Sequence, residues 1–279
     1  MPPADQYLDN NGLRLHYLDY GRADLPPMLL LHGMRDSALS WDIFARAMSD
    51  EYRVLSLDSR GHGDSDRAGP NGYRFDRYIS DIEALADHLD LTDMIIVGHS
   101  AGGRYAWSYA VRHSDRVRAL VIVDIDPDAY NPQTASDLRA SVAEPSSWPT
   151  QDQFLAYLKT RRIHTPEDVL RKQVPAISRR TPEGNYVWKA DIRIVTEYER
   201  PDLWESWGRI SCPVLLVRGR QSTLLTHETA VKMRASLPSS QIRLAELEGG
   251  GHWFYQDFPE AFEITVRWFL DDLVTARPR

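Results

Sequence analysis

A single cysteine, Cys212, stands in this chain of 279 residues, so no disulfide can form within it. Pro213 and an apolar run follow Cys212, which suits a buried thiol better than a reactive one. No apolar stretch is long enough to span a bilayer. The first residues, Met1-Pro2-Pro3-Ala4-Asp5-Gln6, lack the basic and apolar regions of a secretory signal. The expectation is a cytoplasmic protein. Positive charge is not in excess either, with 33 Lys and Arg against 40 Asp and Glu and a net charge of −7. That balance argues against a nucleic-acid partner, which needs a basic face. No Lys/Arg run offers a patch for a membrane surface. Neither H-E-x-x-H nor a Cys/His spacing of metal-ligand type occurs, so no metal and no cofactor is expected. Internal repeats and low-complexity tracts are absent as well.

What is present is a chain with 42% hydrophobic residues, enough for one large core or a core with an inserted lid. Gln6–Asp9 and the alternating Leu13–Leu18 flank Asn10-Asn11-Gly12 and predict a hairpin. Short continuous apolar runs follow at Met28–Leu31, Tyr52–Leu57, Met94–Val97, Val117–Val123, Val214–Val217 and Ile242–Leu247. Such runs suit parallel strands covered on both faces. Helical periodicity lies between them, at Trp41–Met48, Tyr78–Leu89, Thr226–Leu237 and Pro259–Leu273. The alternation predicts an open, mostly parallel α/β sheet of eight strands with helices on both faces. Sites in such sheets form at the carboxyl ends of the strands. From about Pro127 to Gly208 the alternation fails and prolines are dense. We read residues 128–208 as a helical lid inserted after the sixth core strand, and residues 1–127 and 209–279 as the core. Trp148, Trp188, Trp204 and Trp207 are expected to form mainly the lid's own small core, with one or two lining a pocket.

The chemistry starts at Gly98-His99-Ser100-Ala101-Gly102, a G-x-S-x-G pattern between an apolar run and a helical segment. A strand turning sharply into a helix exposes the central serine on a strained tip, with small neighbours admitting close backbone. Ser100 is the candidate nucleophile. A serine hydroxyl needs a base within hydrogen-bond reach. Among nine histidines, His252 qualifies, because it follows the last strand in Gly249-Gly250-Gly251-His252-Trp253. His99, His32 and His62 are assigned structural roles, and His16, His88, His113, His164 and His227 have no constellation around them in the sequence. The oxyanion hole is expected from the backbone N–H of Ala101 and of Met34, after the third strand.

These pieces together resemble the α/β-hydrolase superfamily with a lid. They are Leu31-His32-Gly33, Asp58-Ser59-Arg60-Gly61-His62-Gly63-Asp64-Ser65, the Ser100 elbow and Gly251-His252. The likeness spans about residues 5–125 and 210–275. It implies a Ser…Asp…His order but leaves the substrate open, since this fold hosts many chemistries. The loop after Val214–Val217, where the family usually keeps its acid, reads Gly219-Arg220-Gln221-Ser222-Thr223-Leu224 and has no carboxylate. The orienting acid is therefore placed at Asp124, after the sixth strand, with Asp126 in reserve and Asp128 an exposed residue where the lid begins. Asp58 is assigned to bracing the Arg60–Ser65 turn.

The resemblance thus implies a serine hydrolase acting on an ester, thioester or lactone-like carbonyl. The substrate is expected to be a small, mainly apolar or aromatic molecule that can carry a carboxylate. Arg35, Arg104 and Trp253 are candidate substrate contacts. Haloalkane dehalogenases and epoxide hydrolases share the fold but use an aspartate nucleophile, which Ser100 argues against. Two alternatives stand beside this reading, a cofactor-free dioxygenase of the same fold and a ligand-binding receptor that kept it.

Overall fold

The structure is a computed structural model, which describes residues 2–275. Its main sheet has eight strands. They are β1 (Ala4–Asn10), β2 (Leu13–Asp19), β3 (Pro27–Leu31), β4 (Arg53–Leu57), β5 (Met94–His99), β6 (Val117–Val123), β9 (Val214–Gly219) and β10 (Ile242–Leu247), in the order β1-β2-β4-β3-β5-β6-β9-β10. β2 runs antiparallel to both β1 and β4, and every other pairing is parallel. The expected hairpin closes through Asn11 and Gly12, both with positive φ.

Alternation along the parallel strands splits the core into two layers. Leu29, Leu31, Ile96, Ile122 and Leu216 face α2 (Phe75–His88), α3 (Ala101–Arg112) and α9 (His227–Ala235). Met28, Leu30, Val97, Val121 and Val217 face α1 (Asp42–Met48) and α10 (Pro259–Thr275). Strands with both faces buried are mostly apolar, which is why they read as near-continuous runs. Cys212 is buried as expected, and burial pushes its thiol up to about 12.

Between β6 and β9 lie α4 (Pro132–Ala143), α5 (Gln151–Arg161), α6 (Glu167–Ile177), α7 (Arg193–Thr196) and α8 (Trp204–Gly208). The segment is not purely helical. β7 (Ser178–Arg180) and β8 (Tyr186–Trp188) form an antiparallel pair, extended by a bridge between Trp148 and Tyr186. Trp148 packs with Phe154, Leu158 and Leu170 in a small separate cluster, as the tryptophan content suggested. Trp204 and Trp207 do not join it. Trp207 is fully buried against Trp107 of α3, at 5.3 Å between rings, and donates to the Met233 carbonyl at 3.0 Å. The last helix of the segment is thus part of the main core. Among the described residues, no helix is long and apolar enough to cross a membrane.

β3 and β5 are neighbours, yet the chain leaves β3 towards β4 and leaves β5 towards β6. A crevice opens where the connections diverge in this way. The α3 end of β5 is drawn tightly against β3. A Cβ on Gly102 would lie 2.5 Å from the Leu31 carbonyl oxygen and 2.6 Å from that of His32. Gly102→Ala is expected to lower unfolding free energy by about 1–3 kcal/mol through overpacking, measured by urea titration. Gly208→Ala, with nothing within 4 Å of the added carbon, is expected to stay level or gain up to ~1 kcal/mol.

Candidate active site

Ser100 caps α3 with φ 53° and ψ −126°. A positive φ is disfavoured for a residue with a side chain, by about 1–3 kcal/mol. Two hydrogen bonds hold it there, Ser100 N–H to the Val123 carbonyl and Gly103 N–H to the Ser100 carbonyl, each 2.9 Å. The loop after β3 runs directly beside this tip. A Cβ on Gly33 would meet Ser100 Cβ at 3.0 Å and His99 Nδ1 at 2.8 Å. Met34 and Ala101 therefore flank Ser100 from two segments, and all three line one cleft. Among the described residues, neither the Met34 nor the Ala101 N–H meets a protein acceptor.

His252 lines the same cleft. Its Nδ1 lies 2.7 Å from Asp124 Oδ2, which leaves Nε2 as the ring nitrogen free for the cleft. Asp124 is fully buried, with φ 52°. Burial pushes its carboxyl above the usual range, against the pull of the His252 and Ser222 hydrogen bonds. Ser222 Oγ donates to the same Oδ2 at 2.5 Å and accepts the Leu224 N–H at 3.2 Å, while Asp124 Oδ1 is buried without a partner. Ser222 was missed as a site residue. The signal lay in its position, where the family's acid usually stands, but a serine carries no mark of that use.

The other histidines fall into structural positions. His99 Nε2 meets the His252 carbonyl oxygen at 2.9 Å. Burial and the facing His252 hold the His99 ring well below its usual pKa, so it donates there as a neutral ring and fixes the His252 backbone. His32 Nε2 accepts the Ser59 N–H at 3.0 Å, so its Nδ1 donates to the Gly33 carbonyl at 2.7 Å and steadies the loop before Met34. His62 meets the Arg60 carbonyl at 3.0 Å, and burial takes its pKa down to about 3. His16, which had no constellation in the sequence, proves to bridge Asp58 at 2.7 Å and Asp5 at 3.0 Å. Asp58 also accepts from the Ala38 and Asp64 N–H groups, bracing the turn as expected. His16, Asp58 and Asp64 bring possible metal-ligating atoms within 4.8 Å of one another. The Asp58 oxygens are already committed to protein donors, which does not fit an ion site.

Asp126 faces away from His252. Its carboxylate takes Arg200 at 2.7 Å, Asn131 Nδ2 at 2.7 Å and the Asp128 N–H at 2.8 Å. Asp128 is half-buried rather than exposed and accepts from Trp204 Nε1 at 2.7 Å. Arg104 is no ligand contact. It is fully buried and donates to the backbone carbonyls of Asp126, at 2.6 Å, and Pro201. Arg35 does line the cleft, but its guanidinium is paired with Glu144 and lies 4.2 Å over the Trp188 ring. Trp253 lines the cleft too, edge-on to His252 at 5.0 Å. Arg35, Arg161, Arg162 and Arg200 lie on the wall together with Glu144 and Asp137, among apolar residues such as Met34, Ile125, Leu138 and Leu224.

Known proteins of similar sequence cover nearly the whole chain. It is 26% identical to epoxide hydrolase 4 of Mus musculus over 95% of this chain and 78% of that one. It is 28% identical to the 2-(acetamidomethylene)succinate hydrolase of Mesorhizobium japonicum over 88% of each. The crystal structure of an E-2-(acetamidomethylene)succinate hydrolase matches with a TM-score of 0.87 and 25% identity, over 96% of this chain and 99% of that one. An α/β hydrolase from Novosphingobium aromaticivorans matches with a TM-score of 0.85 and 26% identity, over 97% and 98%. The model of the alpha/beta hydrolase fold matches residues 26–259, and the chain belongs to that family.

Proposed function

We propose that this chain is a serine hydrolase cleaving an ester, thioester or lactone-like carbonyl, with residues 128–208 as a cap over the core. The observation that carries the reading is the 2.7 Å bond from buried Asp124 to His252, in a cleft shared with the strained Ser100. In this reading His252 Nε2 takes the Ser100 Oγ proton as the oxygen attacks the carbonyl carbon. Negative charge on the carbonyl oxygen is met by the Met34 and Ala101 N–H groups. Asp124 holds the imidazolium in orientation. His252 then gives its proton to the departing oxygen or sulfur, leaving an acyl group on Ser100. Water, losing a proton to His252, attacks that acyl group, and the product acid leaves as Ser100 regains its proton. The chemistry calls on no cofactor. Likeness to an epoxide hydrolase does not bring epoxide opening with it, because position 100 carries a hydroxyl and not a carboxylate.

A fluorophosphonate probe tests the nucleophile. Rapid labelling of the wild type, lost in Ser100→Ala and His252→Ala, is expected. An unlabelled wild-type protein would leave a receptor-like binding role instead. Asp124→Asn is expected to cut ester turnover about 10³–10⁴-fold, measured as kcat/KM, with Asp126→Asn leaving the site's chemistry intact.

Asp124→Asn also has a signed effect on stability. Folding raises this carboxyl's pKa, so its contribution is full below the unfolded value of about 3.9 and is lost as pH rises through the folded value. As pH rises through the folded value, the buried carboxylate comes to oppose folding. The variant is expected to unfold at higher urea concentration than wild type at pH 7, with the gain shrinking as pH falls below about 4. Ser222→Ala removes a donor to the charged form and is expected to cut kcat while leaving KM unchanged, and to lower the urea midpoint at pH 7.

A further inference from the structure

Three of the four arginines on the cleft wall are held in close, largely buried ion pairs. Arg35 is held by Glu144 and Trp188. Arg162 is buried, pairs with Asp36 at 3.0 Å and donates to Gln173 at 3.0 Å. Arg200, its side chain 8% exposed, donates to Asp126 at 2.7 Å, with its Nε buried away from the cleft's solvent. Arg161, the last residue of α5, differs. Its side chain is 38% exposed, and its carboxylate neighbour Asp137, 44% exposed, lies at 3.6 Å. Asp137 Oδ1 also accepts from Gln133 at 3.1 Å. An exposed pair of that length contributes little, so its guanidinium keeps a donor fork for an incoming carboxylate.

Position gives the half of the substrate concerned. Arg161 lines the Ser100 cleft and also an adjoining cavity that carries His252 and Trp253 but none of Gly33, Met34 or Ala101. His252 hands its proton to the departing group, so that group lies on the His252 side, away from the oxyanion loop. Resting on the Ser100–His252 reading above, we infer that Arg161 binds a carboxylate on the leaving half of the substrate. The substrate class is an ester or thioester whose alcohol or thiol portion is anionic.

The test compares 3-acetoxybenzoate with phenyl acetate, each rate normalised to its hydroxide-catalysed hydrolysis. The wild type is expected to favour 3-acetoxybenzoate by about tenfold or more in kcat/KM, carried mainly by KM. Arg161→Gln abolishes the preference while keeping phenyl acetate turnover and fluorophosphonate labelling. Arg161→Lys retains part of it, and Asp137→Asn enlarges it by removing the competing carboxylate. Equal rates on the two esters in the wild type, or a preference that survives Arg161→Gln, overturns the assignment while leaving the serine-hydrolase reading in place. Absence of both labelling and turnover removes that reading, and this one with it.

Discussion

A carboxylate with no access to water sits beneath the cleft, and the arrangement around it depends on that placement. Asp124 follows β6 directly, with Val123 and Ile125 buried on either side. Its charged form is stabilised on one oxygen alone, by His252 and Ser222. A buried ion so sparingly solvated gains from any donor brought to it. The His252 ring is therefore held strongly in one orientation, and the glycine-rich loop after β10 is held with it. His99 fixes the same loop through its backbone. Ring and main chain are thus restrained from opposite sides of the elbow.

The neighbouring acid does a different job. Asp126 gathers Arg200, Asn131 and the Asp128 N–H, and its own carbonyl takes Arg104 from beneath. Arg104 also reaches the Pro201 carbonyl. The beginning and the end of the segment between β6 and β9 are thereby fastened at one point, which α8 reinforces through Trp207. Buried polar groups satisfied in this way specify one arrangement among those that apolar packing alone would allow.

Much of this was legible in the chain itself. The parallel strands could be read because burial on both faces leaves them mostly apolar, and the elbow because its glycines answer to a close approach of backbone. The loop at the family's usual acid position carries no carboxylate, which points to Asp124 after β6. Other features left no local trace. Ser222 supports the acid through a contact made across 98 positions of chain. Trp204 and Trp207 lie in a segment whose composition marks it as separate, and only the course of α8 returns them to the core. Arg104 looks like any helix-surface arginine until three-dimensional neighbours bury it. His16 meets Asp58 from an edge hairpin whose pairing with β4 cannot be read from either strand alone.

Asp124 and Asp126 are two positions apart, yet one meets His252 and the other gathers the two ends of the segment between β6 and β9. With Ile125 buried between them and both acids wholly enclosed, the spacing is rigid. Leu138 of α4 and Tyr157 and Arg161 of α5 line the cleft, so the stretch between β6 and β9 shapes the wall of the cleft while both of its ends are held at the Asp126 cluster.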